Sequence, residues 1–535
     1  MAIKMDKTIM PTVPANHGPA EEVLGNPGGY QEAAGPKSSL ARSVVANWAG
    51  HLVFILGGFI LPRLISDHLG QERLGVWDFG WSTVAYFNLL SAGIASSVNR
   101  YVAKFRASSQ WDDMSEAVSC CTFFFAGSAV TGVGVTIVLV FALPWISPPA
   151  FLPYLAEMRA LLLFLGLSVS IDLFLPSYVG VISGSQRYDL LALIEAGCYL
   201  VLIGWIVLIL LLGANLSWLG ASILCMRSVE GILKGLTARS LCPKLRLSPS
   251  LVTRQGLKTV FAFGGKTLME TVAKIGLYQG NNMLIAYLLG PSSLAVYARS
   301  MSLILHANKL LFHFGRVFAP SASHLKVDGD IRSLRGLILN GAQTGAFIAL
   351  PLALVFGILG GSLLRLWMGP GYAELAVLPI LAVGHFFAHF QVGTFYALMG
   401  MNQHGRASLT VLGFSIMSLV GTFLLIKYSQ LGLFGVGLST GLAVAIPYLT
   451  VIPRLVAATV DVPPLRYLRE TLQTPILLCL PFAFCLVGAR QWGGPNDFQI
   501  LGCGLGIGGL ILFPIYWRWV VPVVMKGKIK GLILR

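Results

Sequence analysis

The chain predicts an all-α polytopic membrane protein, and three observations carry that prediction. Hydrophobic residues make up 55% of its 535 positions and charged residues 11%, where a soluble domain holds about 25% charge. Mean hydropathy is +0.75. Apolar runs of membrane-spanning length, ~20 residues, recur along the sequence between clusters of Gly, Pro and charge. So little polar surface excludes a soluble enzyme.

Taken in order, residues 1–38 are polar and rich in Pro, Gly and Ala, with no apolar run of signal-peptide length, which predicts a disordered cytoplasmic tail. Fourteen helices are then expected, near 42–65, 76–99, 117–143, 156–182, 189–212, 216–238, 260–289, 294–319, 333–360, 373–400, 407–427, 431–453, 470–489 and 498–521. The first six belong to an N-lobe over 39–240, followed by a basic cytoplasmic linker, 241–258. The next six belong to a C-lobe over 259–455, and 456–535 holds the last two helices and a basic tail. The eight cysteines form no CxxC pair and lie mostly in apolar runs, so neither a disulfide framework nor a structural zinc site is expected.

The net charge of +16 would suggest nucleic acid or another acidic partner in a soluble chain. Here it is mostly topological. With the N-terminus inside, the cytoplasmic segments hold 27 Lys and Arg, and the outer connections hold six: Arg63, Arg73, Arg159, Arg365, Lys427 and Arg490. The positive-inside rule therefore places both termini in the cytoplasm. Five further cations, Arg227, Lys266, Lys274, Arg299 and Lys309, fall inside helices.

The two lobes read as a duplication. Leu69-Gly70 through Leu74-Gly75-Val76-Trp77 matches Leu289-Gly290 through Leu294-Ala295-Val296-Tyr297 at an offset of 220, and Gly184-Ser185-Gln186-Arg187 matches Gly400-Met401-Asn402-Gln403 at an offset of 216. Each pair falls in equivalent turns. Units with an even number of helices enter from the same side, so the repeats are parallel about the membrane normal.

The Leu-Gly-x3-Leu-Gly-Val-Trp turn, the Gly93 segment leading to Asn99-Arg100-Tyr101, the Gly-x-Gln-Arg turn and the six-plus-six-plus-two order carry a family resemblance. Over residues of about 40–525 the chain resembles the Wzx-type polysaccharide flippases of the multidrug/oligosaccharidyl-lipid/polysaccharide exporter superfamily. The resemblance implies a V-shaped pair of lobes around a cavity. It also implies a substrate, undecaprenyl-diphosphate-linked oligosaccharide, moved from the cytoplasmic to the outer leaflet by alternating access. Polysaccharide polymerase and chain-length proteins are the partners it suggests.

Intramembrane charge locates the candidate site, because an ionisable side chain at the bilayer centre costs at least ~2.5 kcal/mol without a partner or a wet cavity. On the eighth helix Arg299, Ser302, His306, Lys309, His313 and Arg316 follow at steps of 3, 4, 3, 4 and 3, a cationic stripe on one face. Lipid cannot accept that stripe, so Arg299, His306 and Lys309 are expected to line a cavity and meet the diphosphate, with Arg316 snorkelling at the inner end. The seventh helix adds Lys266, Glu270 and Lys274 at steps of four. They form either a neutralising network or a cationic surface gated by Glu270 as a proton- or sodium-sensitive switch. Asp172 and Glu195 are lone acids in apolar runs, candidates for ion coupling or for structural hydrogen bonds. Arg227, Glu230 and Lys234 are spaced to satisfy one another. His385 and His389, at i and i+4, read as packed or proton-responsive and not as a metal site, and Asn47 with His51 offers glycan contact or helix packing. At the positions equivalent to Lys266, Glu270 and Lys274 the N-lobe has Ala46, Gly50 and Phe54, so anion binding is assigned mainly to the C-lobe.

Gly265-Lys266-Thr267 lacks the first glycine of a P-loop, since Val260 stands there, which argues against direct ATP hydrolysis. A glycan polymerase would need an outer catalytic loop, and the longest outer connection, near Pro144 to Pro153, has no acid or His in its interior. No enzymatic activity, cofactor or metal is expected, and the driving force is a proton or sodium gradient. The rival readings are a cation-coupled multidrug antiporter, disfavoured because residues 42–61 hold no acid, and a lipid II flippase.

Overall fold

The computed structural model describes residues 38–91, 95–256, 271–373, 377–403, 405–494 and 496–520. They form helices α1 (Ser38–Leu69), α2 (Gln71–Val84), α3 (Ala95–Ala107), α4 (Trp111–Ile146), α5 (Leu155–Phe174), α6 (Pro176–Gly184), α7 (Tyr188–Leu211) and α8 (Leu216–Leu241). After the linker come α9 (Asn281–Gly315), α10 (Phe318–Val327), α11 (Ile331–Ile358), α12 (Gly360–Met368), α13 (Val377–Phe390), α14 (Val392–Gly400), α15 (Gly405–Ser429), α16 (Gly432–Val460), α17 (Pro464–Trp492) and α18 (Asp497–Trp519). Side-chain caps fix several starts. Asn215 accepts from the backbone N–H of Ser217, and Asp330 from that of Ser333. Ser333, through its hydroxyl and its backbone N–H, holds the Asp330 carboxyl below its ordinary value.

Twelve helices among the described residues are long and apolar enough to cross a membrane. One of them, Thr271–Val327, is two arms of a hairpin. Gly290 breaks it at φ 84°, and Asn281 and Tyr297, on either side of the break, both reach the Thr440 hydroxyl at 3.1 and 3.3 Å. Straight helix would hold those two residues ~24 Å apart. The second predicted helix is shorter than expected, because α2 gives way to a 3-10 turn at Ala85–Leu90. Two connections expected as loops are helical instead: α3, carrying Lys104 and Arg106, and α10, carrying Lys326.

The repeat is written into the backbone. Gly70 and Gly290, at φ 90° and 84°, each open the second helix of a lobe. Gln186 and Asn402 both sit at φ 58°, and Ser109 pairs in the same way with Gly329, and Gly213 with Gln430, at offsets of 220 and 217. The breaks between α5 and α6 and between α13 and α14 fall at Leu175 and Gln391, 216 apart. A left-handed residue after each helix lets two amides turn back onto the last carbonyls.

One apolar core spans both lobes at the Gly70/Gly290 end, joining Leu74 and Val76 of α2 to Leu294 and Ala295 of α9 and Leu364 and Met368 of α12. At the opposite end the core divides. Val98, Met114 and Val181 form one body, and Ala322, Leu334 and Tyr467 another. Lobes joined at one end and parted at the other leave a cavity between them. Outside this pair, α17 packs on α11, and α18 is held to α12 by Arg365, which donates to both carboxylate oxygens of Asp497 at 2.9 and 2.7 Å.

Candidate functional site

The cavity measures about 780 Å³ and is walled by α2, α9 and the helical segment before α9, with His51 of α1 at its edge. The predicted stripe lines it: Arg299, Ser302, His306, Lys309 and His313 all face the space, together with Lys274. Exposure rises along the stripe. Arg299 is 5% exposed, His306 is half-buried, and Lys309 and His313 are open to the cavity. Arg316 lies beyond it, with its guanidinium 5.5 Å from the centre of the Phe312 ring.

Arg299 is not free. Its Nη2 donates to Oδ1 of Asp78, on α2 in the other lobe, in an ion pair buried on both sides. No local pattern around Arg299 signals this partner, because Asp78 lies 221 positions away between Trp77 and Phe79. Around the pair the lobes are tied by further polar contacts. Ser66 and Tyr372 share a hydroxyl hydrogen bond of 2.6 Å, Arg63 donates to the Trp367 carbonyl at 3.2 Å, and Gln71 to the Ser292 carbonyl at 3.2 Å. These close the Gly70/Gly290 end. His306 donates from Nδ1 to the Ser302 carbonyl at 2.7 Å and packs against Phe59 of α1. Lys309 has no acidic partner among the described residues.

His51 meets His313, with 3.2 Å between the two Nε2 atoms, which bridges α1 and α9 at the cavity edge. Lys274 reaches the cavity and also a side chamber in the C-lobe. Lys266 and Glu270 lie outside the described residues, as does the side chain of Asn47.

Asp172 and Glu195, solitary within their own apolar runs, are not lone acids once the N-lobe folds. Arg227 pairs with Asp172 at 3.4 Å and with Glu230 at 2.7 Å, and Lys234 with Glu195 at 2.8 Å and Glu230 at 2.7 Å. The five groups form one network across α5, α7 and α8. Sequence spacing shows the links within α8, whereas those to α5 and α7 exist only once the helices pack. Lys234 and Glu230 are 3% and 4% exposed, and removing Lys234 leaves Arg227 as the one cation of the network against three acids, an excess of negative charge that costs up to ~3–5 kcal/mol. Lys234→Met is therefore expected to lower the thermal midpoint of the purified protein sharply while Lys234→Arg does not. Equal melting of Lys234→Met and wild type would show that the network carries no stability.

This fold, two helical lobes around a charged cavity, is similar to those of solved transporters described as members of the MOP superfamily. The fold superposes on an inward-facing multidrug resistance MATE family transporter with a TM-score of 0.65 at 12% identity, covering 79% of this chain and 99% of that one. On the lipid II flippase MurJ, in an inward closed conformation, the TM-score is 0.67 at 14% identity, covering 90% and 99%. Within that class the match is more particular. The polysaccharide biosynthesis protein family matches residues 106–377, just over half of the chain, and the chain belongs to that family. A relative named as an uncharacterized membrane protein, EpsK of Bacillus subtilis (strain 168), is 22% identical over 405 residues, 74% of this chain and 78% of its own.

Proposed function

We propose that the protein carries an undecaprenyl-diphosphate-linked oligosaccharide from the cytoplasmic to the outer leaflet of a bacterial inner membrane by alternating access. The observation that carries this reading is the cationic stripe of α9 facing a cavity between the lobes, with Lys309 open to it. A diphosphate supplies the anionic oxygens such a wall attracts, and Lys meets them as a movable point charge. Arg299 lies ~15 Å further along the helix, too far to share one diphosphate with Lys309. The two cations therefore act in succession: Lys309 receives the head group, and Arg299 takes it over by exchanging Asp78 for phosphate. That exchange removes an ion pair between the lobes and so couples substrate arrival to opening of the closed end. With both termini cytoplasmic, as the cation distribution predicts, the closed end is the outer one.

A cationic drug would require an exposed acid, whereas Asp78, the acid lining the cavity among the described residues, is buried against Arg299. The driving force is assigned to a proton or sodium gradient, and the glycan polymerase and chain-length proteins are the partners downstream. Depletion of the protein is expected to leave lipid-linked repeats facing the cytoplasm while cell-wall synthesis continues. Arrest of cell-wall synthesis would identify a lipid II flippase instead. A charge-assisted contact is worth ~1.5–3 kcal/mol, so Lys309→Ala should weaken glycolipid binding roughly 10- to 100-fold and Lys309→Arg much less. Wild-type export from a normally expressed Lys309→Ala variant would sink the assignment.

A further inference from the structure

His385 and His389 stand one turn apart on α13 and line a chamber of about 110 Å³ inside the C-lobe. The chamber is a branch of the central cavity, since Lys274, Tyr278, Asn308 and Phe312 border both spaces. By this measure one water needs about 10–15 Å³, so there is room for a cluster of polar groups and not merely one.

Both imidazoles are deeply buried, at 2% exposure for His385 and 7% for His389, and Nε2 of each has no hydrogen-bond partner. For His385 the tautomer follows from its other nitrogen. Nδ1 lies 2.9 Å from the Leu381 carbonyl, which can only accept, so Nδ1 carries the proton and Nε2 is a bare acceptor. Buried acceptors without partners are rare because leaving them unmade is costly. Nε2 of His385 therefore calls for a ligand that brings a hydrogen-bond donor, and Nε2 of His389, one turn on, for a polar group in the same space.

The rest of the wall narrows the chemistry of that ligand. No acid lines the chamber among the described residues, and the cationic Lys274 is part of its border, an unfavourable setting for a metal ion. The described residues contain no group of three His, Cys, Asp or Glu able to hold one. The wall is aromatic: Tyr278, whose ring lies nearly parallel to His385 with centroids 6.3 Å apart, Tyr396 and Tyr448. Aromatic faces with polar edges, set beside unpartnered imidazole nitrogens, suit a neutral ring that carries hydroxyls on its rim and C–H groups on its faces. A pyranose has that form.

We infer that this chamber is the subsite for the first sugar of the lipid-linked glycan, with one ring hydroxyl donating to Nε2 of His385 and another hydrogen-bonded to Nε2 of His389. The inference rests on the diphosphate reading of the cavity. Asn308 borders both spaces and precedes Lys309, so a diphosphate held by Lys309 places the sugar bonded to it at the chamber mouth. The cavity would thus recognise its cargo in two parts, charge on α9 and sugar on α13.

The test uses the full chain in nanodiscs, with undecaprenyl diphosphate and undecaprenyl-diphosphate-linked N-acetylglucosamine as separate probes. Wild type should bind the glycosylated lipid about tenfold more tightly than the bare one, a difference typical of one or two well-made hydrogen bonds. His385→Phe and His389→Phe should bring that ratio close to one and leave affinity for the bare lipid within about twofold. Histidine-labelled wild-type protein gives a second readout: the Nε2 resonances should move with the glycosylated lipid and not with the bare one. An unchanged ratio in folded variants, or Nε2 resonances indifferent to the sugar, overturns the subsite. Tight ZnCl2 binding lost in the same variants would also overturn it, in favour of a metal. Absence of binding by the bare lipid to wild type would instead bring down the diphosphate reading, and the subsite with it.

Discussion

Asp78→Ala should destabilise the protein by ~3–5 kcal/mol, because it strands the Arg299 guanidinium in a buried site. Folding margins are ~5–15 kcal/mol, so one substitution would consume a third or more of a typical one, read as a lower thermal midpoint and reduced yield from the membrane. Arg299→Ala leaves the opposite charge unpaired and should cost a similar amount. The informative variant replaces both groups at once. Asp78→Leu with Arg299→Met removes both charges and fills the space with apolar side chains, a change that is often neutral or stabilising.

The double variant separates two roles for the pair. As a strut alone, the ion pair can be exchanged for apolar packing, and both stability and export should return. As a relay that hands Arg299 from Asp78 to the diphosphate, stability should return and export should not, because no cation awaits the head group near the closed end. The second outcome is the expected one. Recovery of wild-type export in the double variant would remove Arg299 from the path and leave Lys309 as the anion site.

Why the pair escaped notice in the sequence is a matter of distance along the chain. A helical stripe repeats every three to four residues, so the cavity wall from Arg299 to His313 is legible from one segment. An acid contributed by another lobe has no such period. Asp78 is the one charged residue in the stretch from Leu74 to Trp81 of a short helix, and its partner is fixed only when α2 crosses α9. Asp172 and Glu195 looked solitary for the same reason. The duplication was legible because it rests on turn residues: Gly70 and Gly290 adopt a backbone that L side chains resist, so the sequence had to keep glycine at both. The exchange of a spanning helix for α2 and a 3-10 turn is a local matter. Asn88, Ser91 and Gly93 interrupt the apolar run there, and Asn88 donates to the Ala85 carbonyl at 3.0 Å instead of extending the helix.

Gly75 offers a way to move the lobes without touching a charge. At this position α2 and α9 cross so closely that a Cβ would lie 2.0 Å from the Pro291 carbonyl oxygen and 2.8 Å from the Pro291 Cα. Neither obstacle is the tip of a flexible side chain, so Gly75→Ala cannot be accommodated by a rotamer change and the backbones must separate. The contact lies beside Gln71–Ser292 and Ser66–Tyr372, the hydrogen bonds that hold the same end shut. Ala also stabilises helix relative to Gly by ~0.5–1 kcal/mol, so α2 itself is not weakened. Gly75→Ala and, more strongly, Gly75→Val are therefore expected to shift the population toward a conformation open at the Gly70/Gly290 end, with export lost because the lobes no longer close there. A cysteine pair at Ser66 and Tyr372, joined by a short bis-maleimide because loss of the tyrosine ring leaves the two thiols beyond disulfide reach, reads the shift directly: it should cross-link readily in an otherwise wild-type background and at least tenfold less with Gly75→Val. Gly371→Ala is the matched control, since its added carbon would meet only the side-chain tip of Gln71 at 3.1 Å. Cross-linking that persists in Gly75→Val would mean that the two helices slide past each other at this crossing, and that the closed end is held by its polar contacts alone.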